Sequence, residues 1–267
     1  MQTEGAIGVF DSGVGGLSVL RHIRALLPGE RLIYVADSGH VPYGDKPVSY
    51  IEQRSLAVAR FLIEQGAEAI VVACNTATAA AATSLRSRLD QPIVAMEPAV
   101  KPAVAATRSG VVGVLATTGT LESARFAALL ELYAGEVEII TQSCPELVEQ
   151  VECGDLSGHE TRTLIELYVA PLLAHGADTL ILGCTHYPFL APLIRAVAGA
   201  HIALVDTGEA VARQLQRRLQ TELPQRNPGM RSSTEFWTSG DAQMAARTIS
   251  TLWGEPVTVQ CLPQTYL

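Results

Sequence analysis

The sequence predicts an α/β protein of two pseudo-symmetric lobes, each a mainly parallel sheet flanked by helices, with an active site in the cleft between them. Three observations carry that expectation. Residues 65–74 read QGAEAIVVAC and residues 175–184 read HGADTLILGC, an internal repeat that ends on a cysteine both times. The repeat extends in both directions: IGVFDSGVGGL at 7–17 resembles VGVLATTGTL at 112–121, and PIVAMEP at 92–98 is echoed by HIALVDTGEA at 201–210. The stretches Ala69–Val72 and Thr179–Leu182 are short and aliphatic, which suits a parallel strand buried on both faces better than a strand with one wet side.

Along the chain the repeating unit is strand, turn, helix. A strand Ile7–Phe10 ends at Asp11, and Gly13, Gly15 and Gly16 then permit a tight turn and close backbone approach. The dinucleotide pattern G-x-G-x-x-G fails, because Ser18 stands where its third glycine would be. LIYVA reads as the next strand. ADSGHVPYGDKP after it, with Asp37, Tyr43 and Gly44, reads as a Pro/Gly-punctuated loop of the kind that walls a site. The helix before each repeat opens with the same device, Ser49-x-x-Glu52 and Ser157-x-x-Glu160, which is expected to cap first-turn amides. Gly66 and Gly176 close those helices.

Cys74 and Cys184 then fall at the C-terminal ends of strands, each in a turn leading to a helix, TATAAAATSLRSRL and PFLAPLIRAVA. Open α/β sheets bind ligands at such turns. From about Ala210 the chain adds a charged helix (EAVARQLQRRLQTEL), a Pro/Gly-containing linker (PQRNPGMRSS), the segment FWTSGDAQMAARTIS and a strand-like PVTVQC. This tail lacks a counterpart in the middle of the chain and is expected to pack on the first lobe. The lobes would then be residues 1–97 plus 210–267, carrying Cys74, and residues 98–209, carrying Cys184.

Composition narrows the function classes. Of 267 residues 48% are hydrophobic and 17% charged, with a net charge of −8, the profile of a soluble globular protein and a poor one for a nucleic-acid binder. No apolar run reaches the roughly 20 residues of a membrane helix, and MQTEGAIGVFDSG lacks the basic start and apolar stretch of a signal peptide. A cytoplasmic location is expected. The five cysteines are odd in number and spread along the chain, which fits free thiols in a reducing compartment. Lys46 and Lys101 are the only lysines, so a pyridoxal enzyme has few places for its Schiff base. Monomer and homodimer are both compatible with the sequence.

Two thiols at matching positions of a repeat are the feature that points to chemistry. A lone cysteine at a strand end is usually a small buried hydrophobe. A matched pair on two facing lobes can remove a proton from one face of an α-carbon and return one to the other, which is what inverting an amino acid requires. Each thiol stands at an expected helix start, where the macrodipole and free amides would lower a pKa that is ordinarily about 8.5. The same amides can hold a carboxylate.

Neighbouring residues have two readings each. Asp11 assists Cys74 or caps a helix. Ser12 could bind a substrate carboxylate. His186 points the same way as Cys184 on an extended strand end and could assist it, or could be satisfied by local backbone. Cys184-x-His186 with Cys74 lacks the paired spacing of a zinc site, so no metal is expected. Thr117, Thr118 and Thr120 offer hydroxyls in the second lobe or serve as caps.

FDSGVGGL, VPYG, ACNTA and LGCTHYP together resemble the cofactor-independent aspartate/glutamate racemase superfamily along nearly the whole chain. The resemblance implies an isomerase without a cofactor, working by two-base proton transfer through Cys74 and Cys184. It implies that Asp11 assists the first thiol, and Glu152 and His186 the second. It also implies substrate contacts from Ser12, Tyr43, Gly44, Asn75, Thr76 and Thr185. Glu152 rests on this resemblance alone. The histidine of GCTH at Gly183–His186 favours glutamate over aspartate, whose racemases resemble GCTE there. The implied role is supply of D-glutamate for peptidoglycan, hence cell-wall biogenesis and cell shape. Aspartate racemase and a non-catalytic dicarboxylate-binding protein are the alternatives. Ser38-Gly39-His40 departs from the more usual Thr/Asn-Ala-Arg before VPYG.

Overall fold

The computed structural model describes residues 5–133, 135–223 and 233–267. Its first half runs β1 (Ala6–Asp11), α1 (Leu17–Leu26), β2 (Arg31–Ala36), α2 (Val48–Glu64), β3 (Ala67–Val72), α3 (Asn75–Arg88) and β4 (Ile93–Ala95). The second unit follows as α4 (Val100–Ala106), β5 (Val111–Ala116), α5 (Thr118–Leu121), α6 (Ala124–Leu132), β6 (Glu138–Ser143), α7 (Glu146–Glu152), α8 (His159–Ala174), β7 (Thr179–Leu182), α9 (Ala191–Ala198) and β8 (Ala203–Val205). The tail adds α10 (Gly208–Glu222), β9 (Ser233–Thr238), α11 (Ala242–Trp253) and β10 (Val259–Cys261). Most of the expected linker, residues 224–232, lies outside the described residues, as do residues 1–4 of the N-terminal segment.

Two parallel sheets result, with strand orders β10-β9-β2-β1-β3-β4 and β6-β5-β7-β8. The block β2-β1-β3-β4 has the same order as β6-β5-β7-β8, so the internal repeat is a repeat of topology. The tail strand β9 pairs along β2, from Arg31 opposite Ser233 to Ala36 opposite Thr238, and extends the first sheet. β1, β3, β5 and β7 are aliphatic because helices cover both faces of each sheet: Ile7, Val9, Phe10, Val71, Val114, Leu180 and Ile181 are all fully buried.

α1 shows how the sequence pattern makes the packing. Leu17, Val19, Leu20 and Ile23 form one buried stripe at helical spacing, which lies against α10 and its buried Val211, Ala212, Leu215 and Leu219. These side chains share an apolar cluster with Val148 and Leu180 of the second lobe. Each fully buried leucine contributes about 1.5–3 kcal/mol.

Gly66 and Gly176 end α2 and α8 with φ of +91° and +89°, a conformation that costs a glycine nothing. The serine caps are corrected. α2 starts at Val48 because Pro47, with φ fixed at −58°, stands extended directly before it; Ser49 falls inside the first turn. α8 starts at His159 behind Gly158. There the Asp155 carboxylate takes the amides of Ser157 and Gly158, at 3.2 and 2.6 Å, and the serine hydroxyl does not cap.

Candidate active site

In each sheet the first strand of the unit has the second on one side and the third on the other. The carboxyl ends of β1 and β3, and of β5 and β7, therefore open a crevice at a topological switch point. The two crevices face one another.

On the first lobe, β1 delivers Asp11 and the following glycine turn. Asp11 is fully buried; its Oδ1 accepts from Ser12 N at 2.7 Å, and its Oδ2 from Gly16 N at 2.6 Å and from the Thr185 hydroxyl at 3.1 Å. It is not the cap of α1, whose first turn lies behind Gly16 without a side-chain cap. The glycines serve close approach, and what approaches is the other lobe. A Cβ on Gly13 would collide with the Glu152 carboxylate, and one on Gly15 with the His186 ring.

Cys74 is the N-cap of α3, its Sγ accepting from Ala77 N at 3.4 Å, and its thiol reaches Ser12 Oγ at 3.7 Å. The expected lowering of its pKa is corrected. Burial pushes the Cys74 thiol well above its ordinary range, and the charge of Asp11 adds to that, against the weaker opposing effect of the Ala77 amide. Burial likewise raises the Asp11 carboxyl, partly offset by His186. Two negative charges this close in a buried place disfavour each other, so the pair carries one more readily than two.

On the second lobe Cys184 does not stand at an α-helix start. A 3-10 turn, Tyr187–Leu190, intervenes and α9 begins at Ala191, because Pro192 has no amide to bond the carbonyl four residues back. Its neighbour is His186, with Nδ1 3.6 Å from the sulfur and Nε2 2.7 Å from Glu152 Oε1. Burial works against charge on His186, but its hydrogen bonds to Cys184 and Glu152 and the charges of both outweigh it. The imidazole is held well above its usual range. The same Glu152 oxygen accepts from Val14 N of the first lobe at 2.7 Å.

Ser12, Tyr43, Gly44, Cys74, Asn75 and Thr76 from the first lobe and Thr117, Thr120, Cys184, Thr185 and His186 from the second line one cavity. Thr76, Thr117 and Thr120 form a triangle of hydroxyls, with Thr76 to Thr117 at 2.9 Å and Thr117 to Thr120 at 3.0 Å. Asn75 is 5% exposed, and neither its Oδ1 nor its Nδ2 has a protein partner. A buried unsatisfied amide of this kind costs about 1–3 kcal/mol and is available to a ligand. The space open to water-sized spheres is about 10 Å³, room for about one water molecule. Thiols, hydroxyls and an unpaired amide around so tight a space suit proton transfer on a small polar molecule.

Four of the predicted residues, Asp11, Asp37, Thr118 and Glu152, stand apart from the cavity lining. Asp11 and Glu152 lie behind it, reaching it through Ser12 and His186. Thr118 is corrected: its hydroxyl pairs with Ser143 at 2.7 Å, because it occupies the first position of α5 while its neighbour Thr117 is the cap. Asp37 anchors the wall, accepting from the Tyr43 hydroxyl at 2.5 Å and from Arg54 at 2.7 and 3.0 Å. Sequence reasoning missed Pro42, Val148 and Gly183, which complete the lining, and Arg54. A signal for Arg54 was present: it stands on the helical stripe that carries Ile51, Val58 and Leu62 on α2, where a cation needs a buried partner. Among the described residues no three His, Cys, Asp or Glu cluster so as to hold a metal ion, and no helix is long and apolar enough to cross a membrane.

The chain is 60% identical over 260 residues to the glutamate racemase of Ectopseudomonas mendocina, covering 97% of this chain and 98% of that one. Among solved structures, glutamate racemase isoform RacE1 of Bacillus anthracis superposes with a TM-score of 0.88 at 30% identity, covering 99% of both chains. The glutamate racemase of Escherichia coli, solved with L-glutamate and the activator UDP-MurNAc-ala, gives a TM-score of 0.86 at 32% identity, covering 97% of this chain and 98% of that one. The family model for Asp/Glu/Hydantoin racemases matches residues 7–215, a span that holds every residue of the cavity, and the chain belongs to that family.

Proposed function

We propose that the protein interconverts L- and D-glutamate by proton transfer at the α-carbon between Cys74 and Cys184, without a cofactor. The observation that carries this reading is the pair of thiols on opposing lobes facing one cavity lined with hydroxyls and an unpaired amide. One cysteine as thiolate takes the α-proton onto its sulfur, leaving a planar carbanion. The other gives its thiol proton to the opposite face. Protons and charge balance, and the two sulfurs exchange roles with each turnover.

Asp11 serves the Cys74 half by sharing its charge and proton. The Glu152 carboxylate holds His186 for the Cys184 half, where the imidazole passes a proton to or from the sulfur. Ser12, Asn75, Thr76, Thr117, Thr120 and Thr185 offer donors and acceptors to the substrate's carboxylates and amine, with Tyr43 and Gly44 as the wall. The cavity is too small for an amino acid, so substrate is admitted when the lobes part, and the division of the chain into residues 1–97 plus 210–267 and 98–209 describes the moving bodies.

Glutamate is favoured over aspartate by the named activity of the 60%-identical relative and by His186 at the second thiol motif. The cellular role that goes with this reading is cytoplasmic supply of D-glutamate for peptidoglycan. The test is circular dichroism on metal-stripped protein given L-glutamate, with L-aspartate alongside. Decay of the signal for glutamate alone supports the proposal. Inversion of aspartate alone overturns the substrate, and a stable signal with both, in folded and reduced protein, overturns the reaction.

A further inference from the structure

Glu152 is the last residue of α7 in the second lobe, yet both its carboxylate and its backbone are bonded to the first lobe's side of the cleft. The carboxylate accepts from Val14 N. The backbone carbonyl accepts from the hydroxyl of Thr248, on the tail helix α11, at 3.1 Å. Other carbonyls at this helix end are used locally: Glu149, Gln150 and Val151 accept from Cys153, Asp155 and Gly154 at 3.0, 2.8 and 3.0 Å. A helix end leaves its last carbonyls unsatisfied and partly negative, so a donor there fixes where the end sits. α7 has seven residues, too few for its own ladder to hold the terminus.

We propose that Thr248 is a positioning residue for the Cys184 half of the reaction, holding Glu152 against His186 from the opposite lobe. This rests on the proton transfer at Cys184 proposed above. Thr248 is absent from the cavity lining, so it acts on turnover through Glu152 and not on substrate affinity. The charged or titratable groups that face His186 are Cys184, Glu152 and Asp11. Loosening Glu152 weakens one of the interactions that raise the pKa of the imidazole.

The experiment combines kinetics of Thr248→Val, which keeps the shape and removes the donor, with NMR titration of the His186 ring nitrogens in the full chain. Expected are a fall in kcat of about tenfold, inside the ~100-fold that a misplacement of 1 Å can cost, a KM within about twofold, and a lower His186 midpoint. Thr248→Ser restores both. In a Glu152→Gln background, Thr248→Val has no additional effect, the non-additivity of residues acting as one unit. An unchanged His186 titration overturns the positioning role, whether or not the protein racemises glutamate. So does a loss of kcat equally large in the Glu152→Gln background, since it would report general damage. If the titration shifts in a protein that racemises neither glutamate nor aspartate, the proposed reaction falls and the coupling of Thr248 to His186 stands.

Discussion

The hydroxyl of Thr185, in the second lobe, donates to Asp11 Oδ2 of the first at 3.1 Å, so the carboxylate beside one thiol is bonded to the residue next to the other. Two further bonds cross the cleft nearby, Ser18 Oγ to Thr185 O at 2.9 Å and Val14 N to Glu152 at 2.7 Å. The lobes close on one another through the residues that flank the thiols.

Thr185→Val removes one donor from a buried carboxylate while keeping the side chain's shape. A loss of about 1–3 kcal/mol in unfolding free energy is expected, read by urea denaturation, with a fall in kcat. Thr185→Ser keeps both near the parent. Unchanged stability in the valine variant would mean that the cross-cleft bond contributes nothing.

Cys74→Ala and Cys184→Ala are each expected to lower racemisation by at least ~100-fold, the order of a lost acid or base, with little change in unfolding temperature. Full activity in either variant contradicts the two-thiol mechanism.

Asn75 gives an opposite pattern. Its buried amide makes no hydrogen bond to the protein, so Asn75→Ala removes an unsatisfied polar group and no protein hydrogen bond. Stability is expected to hold or rise, while KM rises about tenfold through the loss of a substrate hydrogen bond worth ~1.4 kcal/mol. A large drop in unfolding temperature with an unchanged KM would show that Asn75 is structural.

These relationships were unequally legible in the sequence. The thiols could be found because the repeat sets them at equivalent strand ends, where buried aliphatic runs leave little ambiguity. The starts of α2 and α8 could not, since the ring of Pro47 and the carboxylate of Asp155, and not the serines at 49 and 157, decide them, and periodicity carries neither. Thr118 looked equal to Thr117 and Thr120 until the helix turn set which hydroxyls face the cavity. Cys74 at a helix start suggested a lowered pKa; its burial beside Asp11 is a tertiary fact, and burial wins. Val14 and Thr248 act by a backbone amide and by a hydroxyl to a carbonyl, leaving no side-chain signature of their roles.

The raised pKa of His186 has a consequence for stability. Its folded pKa is raised above an unfolded value of about 6.5. Its contribution is therefore full below about pH 6.5 and declines as pH rises toward the folded value, where it is lost. The difference in unfolding free energy between the wild type and His186→Gln is expected to shrink on going alkaline. A difference independent of pH would mean that folding leaves the pKa of the ring unchanged, and one that grew on going alkaline would mean that the ring is neutral in the folded protein.

The central claim is that two thiols act on opposite faces of one α-carbon, and single-enantiomer turnover in deuterium oxide tests it most directly. L-glutamate is supplied, the enantiomers are separated at early times, and deuterium at the α-carbon of each is measured by mass spectrometry. The two-thiol account predicts D-glutamate that carries solvent deuterium in nearly every molecule while the remaining L-glutamate stays protiated. D-glutamate that retains the original proton would mean that one base carries it from face to face, and would contradict the account.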